Sequence, residues 1–296
     1  MALRITKSAD PIRVETLVAC SYGVPGLGKT STAFTCLRPL LLDFDHGAYR
    51  SANRGDTVQV ESWDDVAAIS LDDLSLFATV VVDTAGRALD CLSARIIQSD
   101  PKMGRGAALT LQGYGRLKSE FVGWLRMLTS YGLDVVLLCH ADEQRQGDDL
   151  LERLDVQGGS KNEIYKSADV MGRLYLAGGK RMLNFSPTDT AFGKNPGQLP
   201  PLAVPDFSTD PKFLGDVLAT IKGRLNSHVE AQTEAAKEQA AWSERLAPLT
   251  TPEQFTALIG DSKSFSSPIK RMIVKAAKSQ GCVLNPERTA FVPEAG

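Results

Sequence analysis

The sequence predicts an α/β fold, with a mainly parallel sheet flanked by helices and a small helical region at its C-terminal end. Short apolar runs alternate with segments of helical periodicity, which is the pattern of strand–helix–strand units. The runs are apolar at nearly every position, as in strands covered on both faces. The 296 residues, 43% hydrophobic and 23% charged, suffice for one such domain and a small appendage.

The predicted elements follow from these runs in chain order. Strands are predicted at 17–22, 39–43, 57–61, 79–83 and 134–140, with a hairpin of 173–177 and 181–185 around Gly178-Gly179. Helices are predicted at 29–37, 64–69, 87–98, 111–128 and 212–225. Segment 187–206 contains five prolines and is predicted to be a loop or an extended arm.

A change in composition places a domain boundary near residue 226. Residues 1–226 are predicted to form the α/β domain, and residues 227–296 a small helical region rich in Ala, Glu, Gln and Lys at its start. Helices are expected near 229–246, 252–259 and 267–279. The last carries Lys270, Arg271, Lys275 and Lys278, which form either a solvated face or a contact to DNA or an acidic partner.

Charge and hydropathy exclude several classes of protein. The net charge of -2 argues against coating of nucleic acid by bulk electrostatics, so any DNA contact requires a local patch. No apolar run reaches the 18 or so residues of a membrane span, and the first residues lack an apolar signal region. A cytoplasmic location without membrane contact is therefore expected. The five scattered cysteines are predicted to be reduced, and most of them buried.

A glycine-rich segment after the first strand matches the pattern G-x-x-x-x-G-K-[ST]. We call residues 23–30 the phosphate loop: Gly23-Val24-Pro25-Gly26-Leu27-Gly28-Lys29-Thr30, with Ser31 following. Such glycines let backbone N–H groups surround phosphate oxygens, and the following helix adds its dipole. Lys29 is expected to reach the β- and γ-phosphates, and Thr30 to ligate Mg²⁺. The segment predicts a site for ATP and Mg²⁺.

Besides the Thr30 hydroxyl, a Mg²⁺ site of this kind needs a carboxylate. Asp83 ends the apolar run Val80-Val81-Val82, which places its carboxylate at the carboxyl edge of the sheet beside the phosphate loop. Asp83 is therefore predicted to act with Thr30 at Mg²⁺.

Two classes of nucleotide hydrolase fit this core. Asp83-Thr84-Ala85-Gly86 has the spelling of a GTPase switch, but Cys139-His140-Ala141-Asp142 lacks the Asn and Lys of the guanine-reading motif. The other class needs a carboxylate that activates water and a polar γ-phosphate sensor. Asp45, with Asp43 as the alternative, is the candidate for the first role, and His140 for the second.

The order of these motifs resembles the RecA-like P-loop ATPase core, and more narrowly phage-encoded ATPases of the single-strand-annealing recombinase group. The similarity covers roughly residues 15–205 and includes Leu41-Leu42-Asp43-Phe44-Asp45-His46-Gly47 and the segments 114–118 and 157–174. Asp45 stands where RecA has a Glu, and His140 where it has an amide. We expect no N-terminal DNA-binding domain before the core, and these departures from RecA bear on strand exchange more than on nucleotide hydrolysis.

The resemblance implies ATP-dependent action on single-stranded DNA in recombination or annealing, with self-association into a ring or filament. Segments 141–150 and 157–163 would be DNA-facing loops, with Arg145, Lys161 and Asn162 as phosphate contacts. Lys194 would complete a neighbouring subunit's active site in trans, with Lys180 and Arg181 as further candidates. A single-strand-binding or replication protein is a possible partner.

Two other functions stay open at this point. One is a replication or packaging ATPase that acts on a protein partner, as a helicase loader does, and needs no DNA for hydrolysis. The other is a nucleotide-binding interaction module that hydrolyses slowly or not at all. Loss of Lys29 or Asp45 would leave the function of such a module nearly intact but would abolish turnover in either ATPase.

Overall fold

The computed structural model describes residues 3, 5–7, 10–106, 108–146, 149–156, 160–259 and 265–294, without the side chains of residues 143, 145–146, 149–150 and 160–161. The chain divides into two compact units. The core unit is Val14–Leu225, and the terminal unit comprises Met1–Arg13 and Asn226–Gly296. None of the described helices combines the length and apolar character that a membrane crossing requires.

The strands of the described residues are β1 (Val18–Gly23), β2 (Pro39–Asp43), β3 (Thr57–Gln59), β4 (Thr79–Asp83), β5 (Gly104–Arg105), β6 (Ala108–Leu109), β7 (Asp134–Gln146), β8 (Asp149–Leu154), β9 (Val170–Ala177), β10 (Lys180–Asn184), β11 (Leu202–Ala203), β12 (Cys282–Leu284) and β13 (Phe291–Pro293).

The helices of the described residues are α1 (Lys29–Ala33), α2 (Asp64–Ala67), α3 (Ala85–Ser99), α4 (Leu111–Ser130), α5 (Ser160–Ser167), α6 (Phe213–Leu246), α7 (Pro252–Ala257) and α8 (Ser267–Ser279).

One mixed sheet forms the centre of the core unit, in the order β11-β10-β9-β1-β7-β4-β2-β3. The six strands from β9 to β3 are parallel, whereas β10 and β11 run antiparallel at one edge and β8 pairs antiparallel with the end of β7. The predicted α/β core with a mainly parallel sheet is confirmed. The predicted hairpin around Gly178-Gly179 is also present, with both glycines at positive φ.

Alternate residues of each central strand pack against helices on opposite faces. On one face Cys20, Leu42, Val82 and Leu137 lie in a core shared with α2, α3, α4 and α5. On the other face Ala19, Leu41, Val81, Val136 and Leu138 share a core with α1 and the first turns of α6. Both faces of these strands are buried, which explains why their sequences are continuous apolar runs.

The strand register brings the carboxyl ends of β1, β4 and β2 level with the middle of β7. Gly23 of β1 pairs with His140 of β7, and Asp83 of β4 pairs with Leu138 of β7 and with Asp43 of β2. Residues predicted to act on a nucleotide therefore meet at one edge of the sheet, because parallel strands all point the same way.

Helix α1 is shorter than the predicted helix to residue 37. Phe34 caps it, and the next residues turn with bonds from Thr35 N to Thr32 O and from Cys36 N to Ala33 O. The start of α6 binds this turn, since Leu214 N donates to Thr35 Oγ1 and Gly215 N to Thr35 O. Tertiary contacts therefore end a helix that local propensity would continue.

Residues 141–146 and 149–150 of the predicted loop 141–150 form strands, contrary to the prediction, while residues 147–148 lie outside the described residues. Strand β7 runs on from His140 to Gln146 and pairs with β8, so that Ala141 faces Leu154 and Arg145 faces Leu150. The apolar run ends at His140, so the hydrophobic pattern does not predict that the strand continues. Of segment 157–163, residues 157–159 lie outside the described residues and the rest begins α5.

The predicted helix 212–225 is part of the 34-residue α6, which continues across residue 226 because the Ala, Glu, Gln and Lys that follow are good helix formers. In the terminal unit, α7 and α8 pack through Phe255, Leu258, Ile269 and Ile273. The hairpin of β12 and β13, which was not predicted, completes this small core.

Candidate active site

The phosphate loop lies between β1 and α1, in a conformation that only its glycines permit. Gly26 and Gly28 have φ of 83° and 76°, in the left-handed region that disfavours other residues. A Cβ on Gly23 would lie 2.4 Å from the carbonyl oxygen of Leu174, so a side chain there would collide with β9. The glycines of the sequence motif thus serve backbone geometry and close packing.

Lys29 extends back over the loop that precedes it. Its ammonium donates to the carbonyl oxygens of Gly23 at 2.9 Å and Val24 at 3.1 Å, and lies 3.4 Å from Nδ1 of His140. Burial lowers the pKa of Lys29, although the nearby carboxylates of Asp83 and Asp45 oppose that effect. The fold therefore holds a buried cation at the carboxyl edge of the sheet.

Thr30 and Asp83, which the sequence predicts to act together at Mg²⁺, are joined by a hydrogen bond. The Thr30 hydroxyl donates to Asp83 Oδ2 at 2.6 Å, and Asp83 is buried at the end of β4. Burial raises the pKa of Asp83, against the lowering effect of the Thr30 hydrogen bond. A divalent cation at this carboxylate would replace the hydroxyl proton's contact and stabilise the ionised form.

His140 lies between Lys29 and Asp45. Its Nε2 is 3.5 Å from Asp45 Oδ2, while its Nδ1 faces the Lys29 ammonium. Because an ammonium can only donate, Nδ1 accepts and Nε2 carries the hydrogen toward Asp45. The hydrogen bond from His140, followed by the charge of Arg87, lowers the pKa of Asp45. The three groups form a continuous polar row at the sheet edge.

Asp43, the alternative to Asp45, has a structural role in the described contacts. Its carboxylate is fully buried and accepts from the backbone N–H groups of Gly47 and Ala48 and from the Gln59 amide. These bonds fold the turn after β2. That turn directs Asp45 toward His140 and leaves Asp45 as the carboxylate that can reach a reacting group.

A polar cavity of about 660 Å³ opens beside this row. Its walls include Asp45 and His140 together with Thr84, Arg87 and Asp155. Arg87, in the first turn of α3, lies 3.5 Å from Asp45 through its Nε. Thr84 and Arg87 were not predicted from the sequence, although both closely follow Asp83 in the chain.

Lys194 has contacts that differ from its predicted role in trans. Its ammonium donates to the carbonyl oxygens of Tyr165 and Ala168 at the end of α5 in its own chain. Cations at a helix C-terminus stabilise the exposed carbonyl groups there, so these contacts are those of a cap. Its predicted role in a neighbouring site therefore gains no support from the described contacts.

Other predicted residues are spread more widely. The Ser31 hydroxyl is bonded to Ser51 Oγ at 2.7 Å, although its neighbour Thr30 faces Asp83. The side chains of Arg145 and Lys161 lie outside the described residues, and Asn162 is exposed in the first turn of α5. Arg181, by contrast, lies directly against Gly28 of its own chain.

The residues present fit a magnesium–nucleotide complex. Two glycines of the loop have left-handed backbone angles, the buried Lys29 ammonium lies against the loop, and the Thr30 hydroxyl and Asp83 carboxylate are already paired. Oxygen ligands of this kind are those that Mg²⁺ prefers, and the lysine complements phosphate charge.

Comparisons with known proteins give the family of this chain. No curated protein matches the sequence. Among solved structures the chain is similar to the crystal structure of the RadB recombinase, with 13% identity, 56% of this chain and 79% of that chain covered, and a TM-score of 0.33. A family model described as an AAA domain matches residues 15–196, more than half of the 296 residues. The chain therefore belongs to the AAA domain family.

Proposed function

We propose that the protein hydrolyses ATP with Mg²⁺ at the carboxyl edge of its central sheet. The observation that carries this proposal is the Thr30 hydroxyl on the Asp83 carboxylate at 2.6 Å, beside a Lys29 ammonium without a carboxylate partner among the described residues. When bound, Mg²⁺ neutralises charge that develops on the β- and γ-phosphates.

The protein's own groups divide the remaining work. Lys29 binds the terminal phosphates, and the phosphate loop orients them through its backbone N–H groups. Asp45 accepts a hydrogen bond from the attacking water and orients it, with its carboxylate kept ionised by His140 and Arg87. His140 contacts both Lys29 and Asp45, so it can respond to the presence of the γ-phosphate.

We propose that this ATPase acts on single-stranded DNA, in recombination or annealing of the phage type. In this proposal the protein works as an oligomer. Support comes from the order of motifs and from the path of β7. His140 is followed without interruption by the outer part of β7, which forms a hairpin with β8. A change at His140 is therefore connected through one strand to a surface feature.

The hairpin is held to the sheet by specific contacts. Arg173 of β9 forms a two-nitrogen ion pair with Glu152 of β8, and Arg153 stacks on Phe192. Because β8 is fixed at these points, a shift of β7 would change the pairing of β7 with β8 and so the shape of the hairpin. This is the route by which nucleotide state would change DNA affinity.

Steady-state ATP hydrolysis with and without a single-stranded oligonucleotide tests this function. We expect several-fold stimulation by the oligonucleotide, weaker at moderate than at low salt because phosphate contacts depend on salt. The Lys29→Ala variant should show no stimulated turnover. Exposed Arg105, in β5, provides the matched control, since Arg105→Ala should behave as the wild type.

Two other results would change the proposal. Hydrolysis that is indifferent to DNA would contradict action on single strands and favour an ATPase acting on a protein partner. Binding of ATP without measurable hydrolysis under any of these conditions would contradict the enzymatic proposal and favour a nucleotide-binding interaction module.

A further inference from the structure

Arg181 places its guanidinium against the phosphate loop of its own chain. Strand β10 carries Arg181 opposite Leu176 of β9, and its side chain is half-buried. A Cβ atom built on Gly28 would lie 2.6 Å from Arg181 Nη1 and 3.8 Å from its Cζ. The cation is thus in contact with the glycine immediately before Lys29.

The Arg181 guanidinium has no hydrogen bond or ion pair among the described residues. The hydrogen bonds from Ser208 Oγ and N lower the pKa of the exposed Asp206 carboxylate, and the charge of Arg181 lowers it further without an ion pair between them. Arg173, on the neighbouring strand, is by contrast fully paired with Glu152. A half-buried arginine whose donors make no hydrogen bond to the described residues can bind an anion, and its planar donors suit phosphate.

The surroundings of Arg181 add a second observation. A small crevice of about 10 Å³ lies beside Arg181, and its lining includes Ser31, Thr35, Pro205 and Phe207. The backbone of a phosphate loop surrounds the α- and β-phosphates, while its lysine reaches the β- and γ-phosphates. A cation in contact with Gly28 is therefore close to the phosphates that the backbone of the loop surrounds.

We propose that Arg181 binds the α- or β-phosphate of the nucleotide held by its own chain. This inference rests on the proposed nucleotide site and assigns Arg181 a role in cis, in place of the role in trans expected from the sequence. Because the contact is to phosphates that ATP and ADP share, it contributes to binding of both. It is independent of the water and γ-phosphate contacts of Asp45 and His140.

Equilibrium binding of ADP to the full chain, measured by titration calorimetry, tests the contact without any need for turnover. We expect Arg181→Ala to raise the Kd for ADP roughly 10- to 100-fold, as loss of a charge-assisted hydrogen bond to phosphate would. Arg181→Lys should lose less, because it keeps the charge without the planar pair of donors. Arg105→Ala, an exposed arginine of β5, is the matched control and should bind as the wild type.

An ADP affinity of Arg181→Ala equal to that of the wild type would overturn the proposal. Should Arg181→Ala fail to fold, Arg181→Lys decides alone, and an unchanged Kd for that variant with a wild-type melting temperature would contradict the predicted phosphate geometry. A wild-type chain that binds ADP but hydrolyses no ATP would contradict the enzymatic function and leave the Arg181 contact tested by these affinities.

Mixing variants separates action in cis from action in trans. Lys29→Ala keeps Arg181 but lacks a working phosphate loop, whereas Arg181→Ala keeps the loop. If Arg181 acts in cis, ATP hydrolysis by the mixture should equal the sum of the two variants alone. Restored hydrolysis in the mixture would show that Arg181 reaches the neighbouring subunit's nucleotide, and would overturn the proposal.

Discussion

The two edges of the central sheet both carry buried charge, but they use it differently. At the amino edge, Asp134 accepts from Lys222 at 2.7 Å and from the backbone N–H of Leu17 at 2.9 Å. At the carboxyl edge, the Lys29 ammonium is bonded to two carbonyl oxygens and has no carboxylate partner among the described residues. One edge is electrostatically complete without a ligand, and the other is not.

Whether a buried charge is compensated within the chain separates residues that stabilise the fold from residues that serve a ligand. A buried ion pair costs desolvation, which its partner and surrounding hydrogen bonds offset. Lys222 and Asp134 have that compensation within the chain. Lys29, whose pKa is lowered by burial, has it only in part, so a bound polyphosphate would supply the rest.

The largest effect is expected for Lys29→Met, which removes the ammonium and keeps most of the side-chain volume. It tests whether the charge at the carboxyl edge serves a ligand and not the fold. We expect ATP turnover to fall by roughly a thousandfold or more, since a preorganised cation on transferring phosphate is lost. The free energy of unfolding without nucleotide should change little or rise, because the fold disfavours the charged form. Turnover assays and urea melts of the same preparation check both. A large loss of stability would place Lys29 with the structural charges.

Lys222→Met tests whether the ion pair at the amino edge stabilises the fold. We expect the free energy of unfolding to fall by about 2–3 kcal/mol, because Asp134 keeps a buried charge with fewer partners. Turnover per folded molecule should stay at the wild-type value. Arg95→Met, which breaks the exposed pair with Asp64, is the control and should change stability much less. Equal losses in the two variants would contradict the structural role of Lys222.

A smaller effect concerns pH and Asp83. Burial raises the pKa of Asp83 above its unfolded value, so the folded chain binds a proton at this site more readily than the unfolded chain. The wild type's free energy of unfolding should therefore rise relative to that of Asp83→Asn as pH falls through the raised folded pKa toward 4. Urea melts of both proteins across this range, without Mg²⁺, measure the difference. A wild type that loses stability relative to the variant on acidification would contradict the burial effect.

Much of the fold was predictable because its strands are covered on both faces. Continuous apolar runs gave β2 and β4 with their observed bounds, and Gly178-Gly179 gave the hairpin of β9 and β10. The outer part of β7 could not be found this way, since residues 142–146 are all polar. The end of α1 was missed because contacts from α6 fix it.

The candidate site was predictable where the backbone requires a particular residue. Glycines at positive φ, the lysine after them and the aspartate at a strand end form such a pattern. Asp43 and Asp45 could not be told apart, because only the folded turn shows which carboxylate is already bonded. Arg181 lies more than 150 residues beyond the phosphate loop in the chain, and no local pattern indicates that β10 brings it to Gly28.

The most direct test of the account is Mg²⁺-dependent ATP hydrolysis by Asp45→Asn, measured together with its affinity for ATP. We expect the variant to bind ATP as the wild type does, since Asp45 contacts no phosphate group in the proposed site. We also expect turnover to be reduced roughly 10²- to 10⁴-fold, the contribution typical of a residue that orients or deprotonates water. Turnover equal to that of the wild type would contradict the assignment of the carboxyl edge as the catalytic site.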